Sequence, residues 1–389
     1  MPLAFRRSPH VISFWQDGRL VLVNYATGVL ARGTAFAVEL LDDLSEWRTW
    51  AELSANRLPE ERKLLRRLVA LMVRRTFLTR STDKPRTVDD ELSRWGTWNP
   101  AAGFFHRATR DVDFSSTPSD QIAASCAKAL VQPFPSPLKL DAPPRAGGPP
   151  LPPARLDGDL PSILLARRTW RRFGKGPIAL EHLATLLQLT WGVHNWIEVP
   201  GVGRLALKTS PSGGSRHAIE VYVLARQVDG LRRGLHHYNP DTHQLAPVGN
   251  SGPRRISDYL PGQHWYDDAS AVLLMTAVFA RVQWRYPYAR AYRAVLAESG
   301  HLCQTFCLLA TALGLAPFCT MALADSRIER DLRIDGVSES VIYAAGVGPR
   351  PRDVDWAPWP NSDQTPALTP PAHAGRAVRS RRRRPSQDR

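Results

Sequence analysis

Leu205–Leu224, read as LALKTSPSGGSRHAIEVYVL, is the stretch from which the rest of the chain is interpreted. A polar loop, Thr209–Ser215 (TSPSGGS), runs into an apolar, β-rich segment, Ala218–Leu224. Adjacent Gly213 and Gly214 carry no Cβ, so the backbone there can approach a ligand closely. Successive N–H groups in such a loop, with the hydroxyls of Ser210, Ser212 and Ser215, can cradle an anion or the polar edge of a ring. A Gly-Gly turn before a strand is by itself a common turn, so its meaning depends on what accompanies it.

The chain has 389 residues, enough for two or three domains and a sizeable core. Hydrophobic residues make up 43% and charged ones 22%, the balance of an ordinary globular protein. No apolar run approaches the roughly 20 residues that span a bilayer. The opening MPLAFRRSPHVISFW turns polar and strand-like at once and does not read as a signal peptide, so the expectation is a cytoplasmic protein. The net charge of +15 raises nucleic acid as a partner. Its distribution argues otherwise: Pro371–Arg389 holds seven arginines and one aspartate, so +6 of the surplus sits in a solvated basic tail. Four cysteines are too few for a disulfide scaffold. Cys303 and Cys307, four apart, share a helix face, but only His301 stands near them in sequence as a further ligand, so no metal site is expected.

Upstream, residues 10–25 (HVISFWQDGRLVLVNY) alternate around Gln16-Asp17-Gly18 and predict a β-hairpin. Helical patterns follow at Gly33–Asp43, Arg48–Leu53 and Pro59–Phe77, the last with Leu64, Leu65, Leu68, Leu71 and Met72 at 3/4 spacing. A hairpin and three helices suit a winged-helix-like module over residues 1–82. Ala101–Val112 predicts a short helix with His106 and Arg110 on one side, the histidine read as structural. Pro133–Pro153 contains nine prolines and predicts an extended linker within a connecting segment, 83–158.

Beyond the linker, a helix ends in Ala166–Phe173 (ARRTWRRF), and a second amphipathic helix covers Leu180–Leu189. Four arginines around a threonine and two aromatics suit phosphate or the carbonyl edge of a flat heterocycle, and equally a surface charge run. After the Ser-Gly-Gly loop come a hairpin at Leu231–Val248 and a buried strand at Ala269–Phe279. Trp284–Leu313 has an aromatic lead-in and a long helix with Leu302, Phe306, Leu309 and Leu313 as its core stripe. Gly300 within that helix predicts close packing of a neighbour or ligand. A strand at Gly314–Leu323, a short helix at Asp325–Leu332 and a closing strand at Glu339–Val347 complete the pattern, followed at once by Arg350 and Arg352.

In this order, Arg167–Arg171, Pro211–Gly214 leading into Glu220–Tyr222, Gly234–Tyr238, Tyr292-Arg293, Gly300-His301, Gln304, Leu313–Leu315, and Tyr343 with Gly346–Gly348 resemble the nitroreductase-type flavin fold. Within it they resemble the SagB/ThcOx-type azoline dehydrogenases. The resemblance spans about 160–352. It implies an α+β fold, a central antiparallel-rich sheet flanked by helices, in a domain over 159–356. A basic tail follows at 357–389. It also implies that the N-terminal module is a winged-helix peptide clamp, with Leu20–Asn24 as the edge for strand addition.

The same resemblance implies FMN bound non-covalently at a homodimer interface. Arg167, Thr169 and Arg171 would hold its phosphate and pyrimidine edge, with Arg168 and Gln304 alongside. Pro211, Ser212, Gly213 and Gly214 would line the ribityl chain and ring. Phe318, Cys319 and Thr320 would face N5 through their backbone, and Arg350 and Arg352 would return to the phosphate. The implied reaction oxidises a thiazoline or oxazoline in a peptide to the azole, with reoxidation by oxygen and a cyclodehydratase as partner. Relatives place a Lys-Tyr pair ahead of the long helix, which corresponds here to Arg285-Tyr286. Arginine stays charged, so Arg285 can only tune Tyr286, the proton acceptor. Thr305 stands where relatives have Asn. Two alternatives remain: a nicotinamide-dependent flavin reductase or nitroreductase, and a nucleic-acid-binding protein using the N-terminal module.

Overall fold

The computed structural model describes residues 2–84, 86–111, 158–199, 203–249, 251–286 and 288–352. The proline-rich linker, the basic tail and Cys126 lie outside the described residues. No helix among them is long and apolar enough to cross a membrane.

Among the described residues the central sheet has six strands. Their spatial order is Gln244–Pro247, Gly234–Asn239, Ile219–Ala225, Ala271–Val278, Glu339–Pro349 and Leu315–Thr320, antiparallel throughout. This is the expected antiparallel-rich α+β architecture. Ile219–Ala225 and Ala271–Val278 are apolar along almost their whole length because both faces are covered. One face packs on the long helix Tyr292–Ala312 and the helix Leu180–Trp191, and its core includes Phe306, Val295 and Trp191. The other face packs on Tyr259, Leu260, Tyr266 and the helix Asp325–Leu332. Gly346 is required where the ring of Phe318 crosses the closing strand: a Cβ there would lie 2.3 Å from that ring.

The N-terminal hairpin forms as read, Val11–Gln16 against Arg19–Asn24, with Asp17 and Gly18 both at positive φ. A third strand, Val29–Arg32, pairs the far side of Arg19–Asn24. The Leu20–Asn24 edge is therefore already used on both sides, and strand addition there is excluded. A second small sheet joins Ala4–Arg7 to Arg48–Thr49 and Leu78–Arg80, enclosing helices Ala35–Asp43, Trp50–Ser54 and Pro59–Arg74. The last of these buries Leu65, Val69 and Met72. Leu64 and Leu71 are exposed, because the hydrophobic stripe is wider than the face that packs.

The segment before the linker locks this module to the sheet domain. The Trp95 indole N–H donates to the Val337 carbonyl (3.2 Å), and that of Trp98 to the Tyr286 carbonyl (3.0 Å). His106, on the helix Ala101–Ala108, is structural as expected: it bonds the Tyr292 hydroxyl (2.8 Å) and the Gly336 carbonyl (3.0 Å). Burial pushes the His106 pKa down to about 4. A histidine held neutral in the folded state is protonated first in the unfolded chain, so stability is full above about pH 6.5 and lost as pH falls toward 4. Urea unfolding at pH 7 and pH 4.5 is expected to show a smaller acid-side loss in His106→Gln than in the unmodified chain.

Candidate active site

The Ser210–His217 loop is held on the long helix by side chains that share one helix face. The Ser210 hydroxyl bonds the Thr305 hydroxyl (2.8 Å), which donates onward to the His301 carbonyl. His301 Nδ1 donates to the Pro211 carbonyl (3.2 Å), so it serves the loop and not Cys303 and Cys307. The Ser212 hydroxyl donates to Glu298 (2.7 Å) and accepts the His217 N–H (2.9 Å). The other Glu298 oxygen accepts the Ile219 N–H at 3.5 Å. Glu298 is buried, and that burial pushes its carboxyl above the usual range. Sequence reasoning passed over Glu298; the available signal was a polar Glu298-His301-Thr305 row at i, i+3, i+7 on an otherwise apolar helix.

These bonds hold a loop whose backbone is unusual. Ser215 and His217 have positive φ (52° and 45°), which costs energy for residues with a Cβ and persists only where the surroundings impose it. Gly214, at φ 63°, lies beneath Tyr286: a Cβ would sit 3.0 Å from the Tyr286 hydroxyl. Tyr286 thus covers both glycines, with its carbonyl fixed by Trp98. The Arg285 guanidinium lies 6.0 Å from the Tyr286 ring centroid, close enough to act on it electrostatically. The structure thus brings Arg285-Tyr286, which sequence reasoning had not linked to the loop, against Gly213 and Gly214.

A cavity of about 390 Å³ adjoins this loop, lined in part by Trp196, Lys208, His217, Glu220, Arg281 and Trp284. One wall comes from the hairpin Asn195–Val199 with Gly203–Leu207, which sequence reasoning did not resolve into two strands. Burial pushes the Lys208 ammonium down. Glu220 would be pushed up by burial, yet His237 (2.9 Å) and Arg281 (2.6 Å) outweigh it and bring its pKa to about 2.

The arginine cluster occupies a different place. Asp159–Ala166 is the helix, and the chain after it runs along the outer edge of Leu315–Thr320, where the Trp170 N–H donates to Pro317 (2.9 Å). The Arg168 side chain turns back onto the Leu165 and Arg167 carbonyls. Arg350 stacks over Trp170 (5.3 Å) and donates to the Leu315 carbonyl, and Arg167 acts electrostatically on Cys319. Thr169 and Arg171 lie on the same extended segment, and Arg352 is exposed just beyond it. The Phe318 side chain is core, stacked on Tyr266 at 3.7 Å, whereas Cys319 and Thr320 are half-buried.

These two groups lie on opposite sides of one helix. With about 3.6 residues per turn, Glu298, His301 and Thr305 face the glycine loop, and Cys303 and Cys307 face the arginine edge. Gln304 is exposed between them. Gly300 has nothing within 4 Å of an ideal Cβ, so the expected close packing at that position is absent among the described residues.

Residues 164–349 match the Nitroreductase family, and with the fold above they form a nitroreductase-family domain. A protein of Methanocaldococcus jannaschii named as a nitroreductase is 29% identical over 176 residues, 45% of this chain and 84% of that protein. The trifolitoxin-processing protein TfxB of Rhizobium leguminosarum bv. trifolii is 29% identical over 173 residues, 43% of this chain and 46% of TfxB. The microcin B17-processing protein McbC of Escherichia coli is 27% identical over 131 residues, 32% of this chain and 48% of McbC. The chain thus spans about half the length of the two processing proteins it matches.

Proposed function

We propose that this protein is an FMN-dependent dehydrogenase that oxidises azoline rings in a ribosomally made peptide. The observation that carries the reading is Tyr286, held by Trp98, lying over the Gly213-Gly214 turn, whose neighbour Ser212 is held by Glu298, inside a nitroreductase-family domain. The donor set suits FMN: guanidinium groups and a threonine hydroxyl along one sheet edge match a phosphate and a ring carbonyl, and a turn without Cβ atoms matches a flat ring. Arg167, Thr169, Arg171 and Arg350 would hold the phosphate end, and Pro211–Gly214 the ring. FMN, when bound, supplies the hydride acceptor. Tyr286 Oη takes the proton from the azoline carbon, with the Arg285 guanidinium beside its ring. The cavity beside Lys208 and Trp284 receives the peptide segment that bears the ring.

Because the two residue groups sit on opposite helix faces, the reading requires the loop of one protomer to meet the arginine edge of another. The helix Asp159–Ala166 supports such a homodimer: Leu160, Leu164 and Leu165 are 61%, 48% and 51% exposed, and no residue of the helix is buried within the chain. Leu164→Glu combined with Leu165→Glu is expected to yield a monomer that has lost its flavin. A double variant that stays dimeric and yellow contradicts the arrangement.

A dehydrogenase acting on peptides also explains a rigidly attached N-terminal module. A groove of about 550 Å³ lies there between Phe5, Trp50, Val69 and Val73, rimmed by Arg66, Arg74 and Arg80. It suits an apolar peptide segment carrying acidic side chains, and it takes the place of the strand edge that the fold has used up. A cyclodehydratase would supply the azoline. Purification of the full chain, followed by heat release and identification of the chromophore, tests the flavin reading: one FMN per chain is expected. A colourless protein that does not take up added FMN overturns it.

A further inference from the structure

Cys303, Cys307 and Cys319 converge. Their three sulfur atoms lie within 4.8 Å of one another, two from successive turns of the long helix and one from the edge strand Leu315–Thr320. The sequence spacing identified the first two; the third is brought in by the packing of strand on helix. We propose that these three cysteine sulfurs form a binding site for a thiophilic d10 metal ion, with Cu(I) as the best match.

The geometry favours a ligand set over three inert core thiols. Buried cysteines in a core behave as small hydrophobes and pack against carbon, with no reason to turn their sulfurs toward one another. Here all three point to one centre, and the Tyr343 hydroxyl also interacts with Cys303 and Cys319.

The choice of ion follows from the donors. Thiolates select soft ions such as Cu(I) and Zn(II). Structural zinc takes four protein ligands, and no histidine or carboxylate among the described residues joins the three sulfurs. A three-coordinate, all-sulfur set in a largely buried position suits Cu(I). Binding replaces thiol protons by the ion, so protons are released and no electron is transferred.

The experiment uses the full-length protein, reduced and anaerobic, titrated with Cu(I) buffered by a competing chelator. One ion per chain is expected, with sulfur-to-copper absorption in the ultraviolet. X-ray absorption is expected to show sulfur scatterers at about 2.3 Å, the usual distance from such an ion to thiolate. Cys319→Ser and Cys303→Ala are each expected to weaken binding by more than the roughly 10–100-fold that an outer-shell change costs. Cys126→Ser is expected to leave it unchanged. Two variants on different elements, each checked for an unchanged melting temperature, separate ligand loss from misfolding. The proposal is overturned by failure to compete with the chelator, by equal binding in Cys319→Ser, or by a preference for Zn(II) over Cu(I). It is also overturned if thiol counting finds a disulfide within the trio in the protein as purified.

Discussion

Tyr286→Phe is expected to retain fold, dimer and bound flavin while lowering azoline oxidation by about 10²–10⁴-fold, the contribution of a well-placed general base. The ring still covers Gly213 and Gly214, because only the hydroxyl is removed and the Trp98 bond goes to the Tyr286 backbone. Loss confined to turnover assigns the hydroxyl to the proton step. Arg285→Lys, which keeps the charge beside the Tyr286 ring, is expected to stay active, and Arg285→Ala to lower turnover. A Tyr286→Phe protein with full activity would remove Tyr286 from the chemistry. Glu298 would then be the group to examine, since burial raises its carboxyl and its hydrogen bonds reach the same loop.

The second large effect concerns how the N-terminal module is held. Arg110 pairs with Glu329 in a nearly buried site, Arg110 also donates to the Gly336 carbonyl, and Glu329 accepts from the Ser340 hydroxyl (2.6 Å). Glu329→Ala removes the carboxylate in direct contact with a buried guanidinium, leaving Asp325 and Asp111 as its remaining counter-charges, and is expected to cost up to about 3–5 kcal/mol of stability. Replacing both partners, Arg110→Met with Glu329→Leu, is expected to recover most of that loss, because the penalty comes from the orphaned charge more than from the missing pair. Chemical denaturation of the three proteins gives the comparison. A single-variant cost under about 1 kcal/mol, the value of an exposed pair, would mean that water reaches Arg110.

Much of the sheet domain was legible because its strands are short apolar runs bounded by turn residues. Ala271–Val278 and Asp325–Leu332 fall where periodicity puts them. Asn195–Val199 did not, since Trp196 and Ile197 lie on a small outlying hairpin that lacks a buried face to impose alternation. On the helix Pro59–Arg74 periodicity gave the helix but not its buried face, which is decided by what packs against it. Local sequence singled out Ser210–Gly214 and the arginines, and the family resemblance singled out Arg285-Tyr286. Neither could show that the loop and the arginines lie on opposite sides of one helix, nor that Cys319 joins Cys303 and Cys307. Those are properties of how strand, helix and loop pack. The paired strand Arg19–Asn24 makes the same point: a hairpin can be read from its turn, but whether its edge is free depends on Val29–Arg32, a segment too short to announce itself.

The central claim is that the bound flavin takes its electrons from an azoline. The most direct test mixes the purified, flavin-loaded protein anaerobically with a thiazoline-containing peptide and, separately, with NADPH, while flavin absorbance is followed. The account predicts that the peptide bleaches the flavin in a single turnover with formation of the thiazole, that NADPH does so far more slowly, and that Tyr286→Phe slows the peptide reaction alone. Rapid bleaching by NADPH with no response to the azoline peptide would contradict it and make the protein a reductase of small electrophiles.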